Sequence, residues 1–358
     1  MVFCKTLEAW YLSVNRDLPW RKNKNPYSVW LSEIILQQTR VDQGTTYYYK
    51  FLEAFPTVFD LANADEAFVL KLWQGLGYYS RARNLHYSAK YIVSELNGKF
   101  PDTYKKLLNL KGVGDYTASA IASICFNEQA AVVDGNVYRV LARYFGINTP
   151  INSSKGIKEF KLLAQSLLQT DNPGQYNQAI MDFGALQCKP QKPDCSSCVI
   201  AGGCNAWLNN STGELPVKEK KLKIKNRYFN FVVLITEDDT TILSQRLGKG
   251  IWENLYQFPL IETDQSIEVN DLIANNDMQD LIEGEFVSVK LYNKKEWVHK
   301  LSHQHLYTKF WIVYAQSTHP DLISIESIGE FAVPRLVDKF IESFDFGGEL
   351  ALDKSTLN

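Results

Sequence analysis

Two acidic residues and four cysteines carry the chemistry that can be read first. Glu33 lies in Trp30-Leu31-Ser32-Glu33-Ile34-Ile35-Leu36, a helical segment whose apolar neighbours can desolvate a carboxyl and raise its pKa toward that of a general acid. An acid on the solvated face of a helix is the plainer reading. Asp134 follows Ala130-Ala131-Val132-Val133 and precedes Gly135-Asn136-Val137, where an aspartate is a preferred helix N-cap and capping alone would explain it. A capping carboxylate that stays ionised and fixed in direction also suits a developing positive charge. One carboxyl as an acid and another as a fixed anion are a pairing that acid-base cleavage uses, glycosidic cleavage among its forms.

Four of the six cysteines, Cys188, Cys195, Cys198 and Cys204, fall within seventeen residues at spacings of six, two and five. Such a set on one short loop matches the ligands of a tetrahedral zinc or of an iron-sulfur cluster, and thiol count does not separate the two. Pro190, Pro193, Gly202 and Gly203 supply the tight turns. Cys4 and Cys125 stand apart and read as packed thiols. Further back, Leu110-Lys111-Gly112-Val113-Gly114-Asp115-Tyr116-Thr117-Ala118 joins two amphipathic segments through Gly112 and Gly114. Its backbone N–H groups and the start of the next helix can hold a DNA phosphate, or it is a plain helix corner closed by glycines.

The elements that position these residues are mostly helices up to about residue 210. Apolar residues recur at three- and four-residue spacing over Leu61 to Leu72, Tyr87 to Leu96, Ala118 to Phe126, Val137 to Phe145 and Phe160 to Leu168. A polar and charged stretch, 211–227, reads as a linker. Beyond it Tyr228 to Thr236, Thr241 to Gln245 and Lys309 to Ala315 are strand candidates, and Ile267 to Ile273 and Val333 to Ser343 are helix candidates, giving an α+β domain. The 358 residues, 45% hydrophobic and 22% charged, have ordinary globular composition. No apolar run approaches the roughly 20 residues of a bilayer span, so no membrane role is expected. The first ten residues lack a secretory pattern, which predicts a reducing compartment. The net charge of −2 conceals a split: residues 1–227 carry 28 Lys and Arg against 19 Asp and Glu, and residues 228–358 carry 10 against 21. The basic part can hold a phosphate backbone.

The cysteine spacing after a helical domain resembles the iron-sulfur loop of the endonuclease III family of DNA glycosylases, which implies one [4Fe-4S] cluster on Cys188, Cys195, Cys198 and Cys204. Leu-x-Gly-Val-Gly-x-x-Thr-Ala is similar to that family's helix-hairpin-helix. In members that cut the strand through a Schiff base a lysine takes the position of Tyr116; a phenol forms no imine, so the resemblance implies a monofunctional glycosylase. Leu18-Pro19-Trp20-Arg21, Trp30 to Val41, Gly75 to Leu85 and Val133 to Arg143 together resemble the MutY family of adenine glycosylases. That resemblance implies that Glu33 protonates adenine and Asp134 stabilises the sugar cation. It places Arg21, Tyr116 and Asn136 around the pocket, and Gln38 and Tyr78 as wedges in the base stack.

Gly250-Ile251-Trp252-Glu253-Asn254-Leu255-Tyr256-Gln257-Phe258-Pro259 resembles the Nudix-like domain of the same family. The Arg-Glu-x-x-Glu-Glu segment of a working Nudix hydrolase is not in the sequence, and the acidic residues from Glu262 to Glu285 are scattered. The family's Phe-Ser-His loop, which reads 8-oxoguanine, corresponds to Leu301-Ser302-His303, with Leu301 replacing the aromatic. Expected, then, is a multidomain chain: an all-α helix-hairpin-helix glycosylase domain over 1–210 with its iron-sulfur loop at 188–204, a linker at 211–227, a Nudix-like 8-oxoguanine recognition domain over 228–350, and a tail at 351–358. Its expected substrate is adenine opposite 8-oxoguanine or guanine in duplex DNA, and its expected setting a monomer in a bacterial cytoplasm, associated with the nucleoid. The alternatives are a bifunctional pyrimidine glycosylase-lyase, a non-catalytic lesion-binding iron-sulfur protein and a free-nucleotide Nudix hydrolase.

Overall fold

A computed structural model describes residues 2–14, 16–168, 170–219, 224–282 and 288–347. Part of the expected linker, the end of the scattered acidic stretch and the whole expected tail lie outside the described residues. The chain divides into two compact units: Met1–Ala64 with Arg83–Lys220, and Asp65–Ala82 with Lys221–Asn358.

The helices in chain order are α1 (Val2–Val14), α2 (Pro26–Leu36), α3 (Val41–Ala54), α4 (Val58–Asn63), α5 (Glu66–Leu72), α6 (Ser80–Leu96), α7 (Tyr104–Leu107), α8 (Asp115–Phe126), α9 (Gly135–Phe145), α10 (Ser154–Leu167), α11 (Pro173–Leu186) and α12 (Asn205–Leu208). In the first unit α11 lies against α1, α8 and α9, and α2 against α3 and α8. Both α2 and α11 start on an asparagine cap followed by proline, whose missing N–H would be unpaired there in any case. Their apolar faces, with Trp30, Leu31 and Ile35 on one and Tyr176, Ile180 and Phe183 on the other, are buried.

The pattern from Leu61 to Leu72 forms two helices rather than one. Thr57 caps α4 through a capping box with Asp60, and Asp65 then accepts from the Ala67 N–H and starts α5 afresh. From Asp65 to Ala82 the chain groups with the second unit.

The second unit carries β1 (Lys225–Ile235), β2 (Thr240–Ile242), β3 (Ser244–Gln245), β4 (Tyr256–Gln257), β5 (Leu260–Thr263), α13 (Val269–Ile273), α14 (Asn276–Gln279), β6 (Ser288–Leu291), β7 (Trp297–Lys300), β8 (Gln304–Tyr314), β9 (Leu322–Ser324) and α15 (Arg335–Ser343). Its five-stranded sheet runs β5-β1-β8-β6, with β7 also paired to β8. Strands β1 and β8 are parallel, and the other pairings are antiparallel. Both faces of β1 and β8 are covered, so these strands read as nearly continuous apolar runs. Phe229, Phe231 and Val233 join one core with Leu336, Val337 and Phe340 of α15. Val232 and Leu234 join the other with Leu272 and Met278. The expected strand Thr241 to Gln245 breaks at buried Leu243, β2 pairing with β9 and β3 with β4.

Candidate active site

Glu33 projects from α2 with limited exposure and is surrounded by protein. Desolvation pushes its carboxyl up to about 7, and the charge of Asp134 adds to this. A hydrogen bond with Tyr116 and the charge of Arg21 act in the opposite direction. The group is therefore substantially protonated near neutral pH, as a general acid must be. The phenol of Tyr116 is driven well above its usual range by burial first and then by the charges of Glu33 and Asp134, so it remains a hydrogen-bond donor. Its oxygen also lies 3.4 Å from Met181 Sδ.

Asp134 is the N-cap of α9, as its position before Gly135 predicts. One oxygen accepts from the Asn136 N–H at 2.9 Å and the Val137 N–H at 2.8 Å, and the other from Asn136 Nδ2 at 2.8 Å. Burial raises its carboxyl, and these N–H bonds oppose the rise. Asn136 is itself held: its Oδ1 accepts from Arg139 Nη2 at 2.9 Å, while Arg139 Nε donates to the Cys188 carbonyl at 2.7 Å. The backbone leading to the cysteine loop is thus joined to Asp134 through two side chains. A close approach of α11 makes this possible, because a Cβ at Gly184 would lie 2.6 Å from Asn136 Cβ and 2.9 Å from its carbonyl oxygen.

Arg21 ends the turn Pro19–Arg21 and meets Asp182 of α11 side by side, Nη1 to Oδ2 at 2.7 Å and Nη2 to Oδ1 at 3.0 Å. Arg16 reaches the same carboxylate at 3.4 Å. Asp182, only 4% exposed, is a site residue that the sequence reading missed, and so is Arg139. The signal for each was a charged residue inside an otherwise apolar helix stripe, visible in Ile180-Met181-Asp182-Phe183-Gly184 and in Val137-Tyr138-Arg139-Val140-Leu141.

Glu33, Tyr116, Asp134, Asn136 and Arg21 therefore form one connected constellation. Gly112 and Gly114 stand just before Tyr116. Gly112 adopts φ +82° and a Cβ there would strike Asn84, whereas a Cβ at Gly114 would meet nothing within 4 Å. The space beside Gly114 is open to a ligand at the N-terminal end of α8. Gln38, just after α2, is exposed with φ +56°. Leu301, Ser302, His303 and Tyr78 belong to the second unit. Leu301 N–H donates to the Gln304 carbonyl at 2.8 Å, so Ser302 and His303 are the exposed middle of the turn between β7 and β8. Leu301 packs its side chain against the core of this unit.

Cys188, Cys195, Cys198 and Cys204 are free thiols that line one pocket beside Arg143 and Tyr144. Arg143 Nη1 lies 3.4 Å from Cys188 Sγ, and the same guanidinium donates to the carbonyls of Lys189, Pro190 and Leu215. Among the described residues no group of three or more His, Cys, Asp or Glu is arranged to hold a metal ion. Four free thiols spread around one pocket wall are nevertheless a donor set that suits a multi-iron cluster.

Comparison with known proteins agrees with this organisation. Residues 31–165 match the HhH-GPD superfamily base excision DNA repair protein family, and residues 230–343 match the NUDIX domain family. Among solved structures, a thermostable thymine-DNA glycosylase is 31% identical, with a TM-score of 0.55 over 58% of this chain and 96% of that one. Endonuclease III in a non-covalent DNA complex, 20% identical with a TM-score of 0.51 over 58% of this chain and 96% of that one, shares the fold. The chain is thus a helix-hairpin-helix DNA glycosylase, an enzyme class that hydrolyses N-glycosyl bonds, followed by a Nudix-like domain. Adenine DNA glycosylases of two Buchnera aphidicola subspecies are 36% and 32% identical. The first, of subspecies Baizongia pistaciae, covers 87% of this chain and 86% of its own length, and the second, of subspecies Schizaphis graminum, covers 96% and 99%. The human adenine DNA glycosylase is 44% identical over 57% of this chain and 39% of its own. The chain belongs to the adenine DNA glycosylase family.

Proposed function

We propose that this glycosylase removes adenine mispaired with 8-oxoguanine or guanine in duplex DNA and leaves the strand uncut. The observation that carries the reading is the pairing of a carboxyl raised to about 7 at Glu33 with a second carboxylate held by three N–H donors at Asp134. Two carboxyls whose surroundings set them to different tasks divide acid and electrostatic roles. With adenine extruded into the pocket, Glu33 donates its proton to the departing base, and Tyr116 orients that carboxyl. Asp134 faces the sugar and stabilises the oxocarbenium ion until water adds. Asn136 fixes Asp134, and Arg21 borders the base pocket. Tyr116 offers no amine for an imine, so no lyase step follows.

The hairpin at Gly112 and Gly114 holds a backbone phosphate, Gln38 and Tyr78 enter the stack, and Ser302 and His303, beside Leu301, read the base opposite adenine. Cys188, Cys195, Cys198 and Cys204 hold one [4Fe-4S] cluster, which when bound clasps the loop after α11. The protein acts as a monomer on the nucleoid in a bacterial cytoplasm.

The test is single-turnover adenine release from a duplex with one adenine opposite 8-oxoguanine, in EDTA, beside Glu33→Gln and an undamaged A:T duplex. Release by the wild type alone, with strand breakage only after alkali, supports the reading. Tight binding without release overturns it in favour of a lesion-binding module.

A further inference from the structure

The second unit is acid-rich in sequence, with 21 Asp and Glu against 10 Lys and Arg over residues 228–358. Against that background one end of its sheet gathers cations. Arg227 on β1 lies 4.8 Å from the centre of the Phe229 ring. Glu262 on β5 grips it through Nε and Nη2, both at 2.6 Å, and its Nη1 donates to Gln304 Oε1 at 3.1 Å. Arg246, just past β3, is near enough for its charge to be felt by both Arg227 and Glu262. The Glu262 carboxyl is held below its ordinary range by the hydrogen bonds from Arg227 and by the charges of Arg227, Arg246 and Lys225.

Among the described residues Glu262 is therefore bonded to Arg227 alone, while the charges of Arg246 and Lys225 also act on its carboxyl. Arg246 spends only Nε inside the protein, donating to the Ile251 carbonyl at 3.0 Å. Its two terminal nitrogens make no hydrogen bond among the described residues. Burial, and then the repulsion of Arg227, bring its guanidinium below its usual pKa. An oxyanion bound by Arg246 would relieve that repulsion and take up its free donors.

The position of the group suggests what brings the oxyanion. Lys225 N–H donates to the His303 carbonyl at 3.0 Å, so the cations begin where the Ser302-His303 turn ends. The neighbouring loop adopts left-handed backbone at Trp252 (φ +62°) and Asn254 (φ +63°), a strain that clusters at ligand-binding segments. It brings the Trp252 ring to 5.9 Å from Phe229 and 6.1 Å from His299.

We propose that Lys225, Arg227 and Arg246 form a phosphate-binding site on the second unit, occupied by a phosphodiester of the DNA strand whose base lies at the Ser302-His303 turn. The choice of DNA rests on the function proposed above; the oxyanion chemistry does not. A free nucleotide or inorganic phosphate carries the same chemistry, and the test separates these sources.

Affinity for the A:8-oxoguanine duplex is measured against salt for the full chain in a Glu33→Gln background, with Arg246→Gln or Lys225→Gln added. Lys225 is exposed, so its replacement leaves folding intact. Each lost contact should lower the slope of log Kd against log salt by about 0.9, so that the Kd ratio between 200 and 50 mM salt shrinks about 3.5-fold. Arg246→Lys should restore most of the slope. Preference for 8-oxoguanine over guanine should stay unchanged in these variants. Ser302→Ala should do the reverse, changing the preference and keeping the slope, so failure of the base reading and failure of the phosphate site look different. An unchanged slope in both cation variants overturns the proposal. An unchanged slope, combined with stabilisation of the wild type but not Arg246→Gln by inorganic phosphate or dGMP, overturns the DNA occupant in favour of a free phosphate.

Discussion

The hydroxyl oxygens of Tyr78 and Ser302 lie 3.1 Å apart within the second unit, although 224 residues separate them in the chain. Tyr78 is 49% exposed and has φ +47°, a backbone conformation that a tyrosine adopts only when its surroundings impose it. The bond aims a half-free ring from the turn before α6 and a hydroxyl from the turn between β7 and β8 at one place. Tyr78→Phe keeps the ring and loses the bond. It should cost about 0.5–1.5 kcal/mol, or roughly 2- to 13-fold, in preference for A:8-oxoguanine over A:G duplexes. Tyr78→Ala also loses stacking, worth about 1–3 kcal/mol more in affinity. Competition binding of the two duplexes to each variant checks both values.

The Glu33 carboxyl, raised to about 7, gives two consequences of definite sign. If Glu33 acts as the proposed acid, base release uses its protonated form, so the single-turnover rate should fall tenfold per pH unit above pH 7 and stay flat below it until Asp134 takes up a proton. Stability follows the same titration. The folded chain holds this proton more tightly than the unfolded chain, so the contribution is complete below about pH 4.5 and is lost as pH rises through 7. Glu33→Gln removes that loss. The inactive variant should therefore unfold at higher denaturant than wild type at pH 8, by up to about 3 kcal/mol, and match it near pH 4.5. Urea titrations at the two pH values measure the difference.

Asp182 takes up the charge of Arg21 through two hydrogen bonds, and the remaining positive field of Arg21 lowers the Glu33 pKa. Asp182→Asn keeps the shape and leaves Arg21 uncompensated in a largely buried place. Breaking a buried pair in this way costs about 3–5 kcal/mol of stability. The stronger positive field should also move the falling limb of the rate profile to lower pH, an effect that mere loosening of α11 would not produce. A pH profile for Asp182→Asn, with Asp182→Glu as the conservative control, separates the two.

How much of this was legible in the sequence depended on the range of each interaction. Asp134 was readable as a cap because a cap and the N–H groups it serves lie within three residues. Glu33 was readable because its desolvating neighbours share its own helix. Asp182 was not, since its partner Arg21 is 161 residues away and only the packing of α11 brings them together. The expected single helix from Leu61 to Leu72 failed because apolar periodicity ran through Ala64-Asp65, where a second cap restarts the helix. The grouping of Asp65–Ala82 with the second unit left no periodic trace at all. Tyr78 and Ser302 could each be singled out by resemblance, but their mutual bond could not.

Gly184 offers the sharpest check on the frame that carries Asp134. The Cβ of an alanine there would lie 2.6 Å from Asn136 Cβ and 2.9 Å from the Asn136 carbonyl oxygen. Both are closer than such atoms approach, and the carbonyl belongs to backbone that cannot swing aside. Helix propensity alone favours the replacement by up to about 1 kcal/mol, whereas overpacking costs about 1–3 kcal/mol, so the net change should be destabilising. The displaced Asn136 should also release Asp134 Oδ2 from its Nδ2 donor and lower single-turnover release, with little change in duplex affinity. Asn136→Ala tests the same link without the clash: it removes the donor to Asp134 and the acceptor for Arg139, and should reproduce the rate loss. If Gly184→Ala loses stability while keeping the wild-type rate, the contact between α11 and α9 serves folding only, and Asp134 is positioned by its backbone N–H bonds alone.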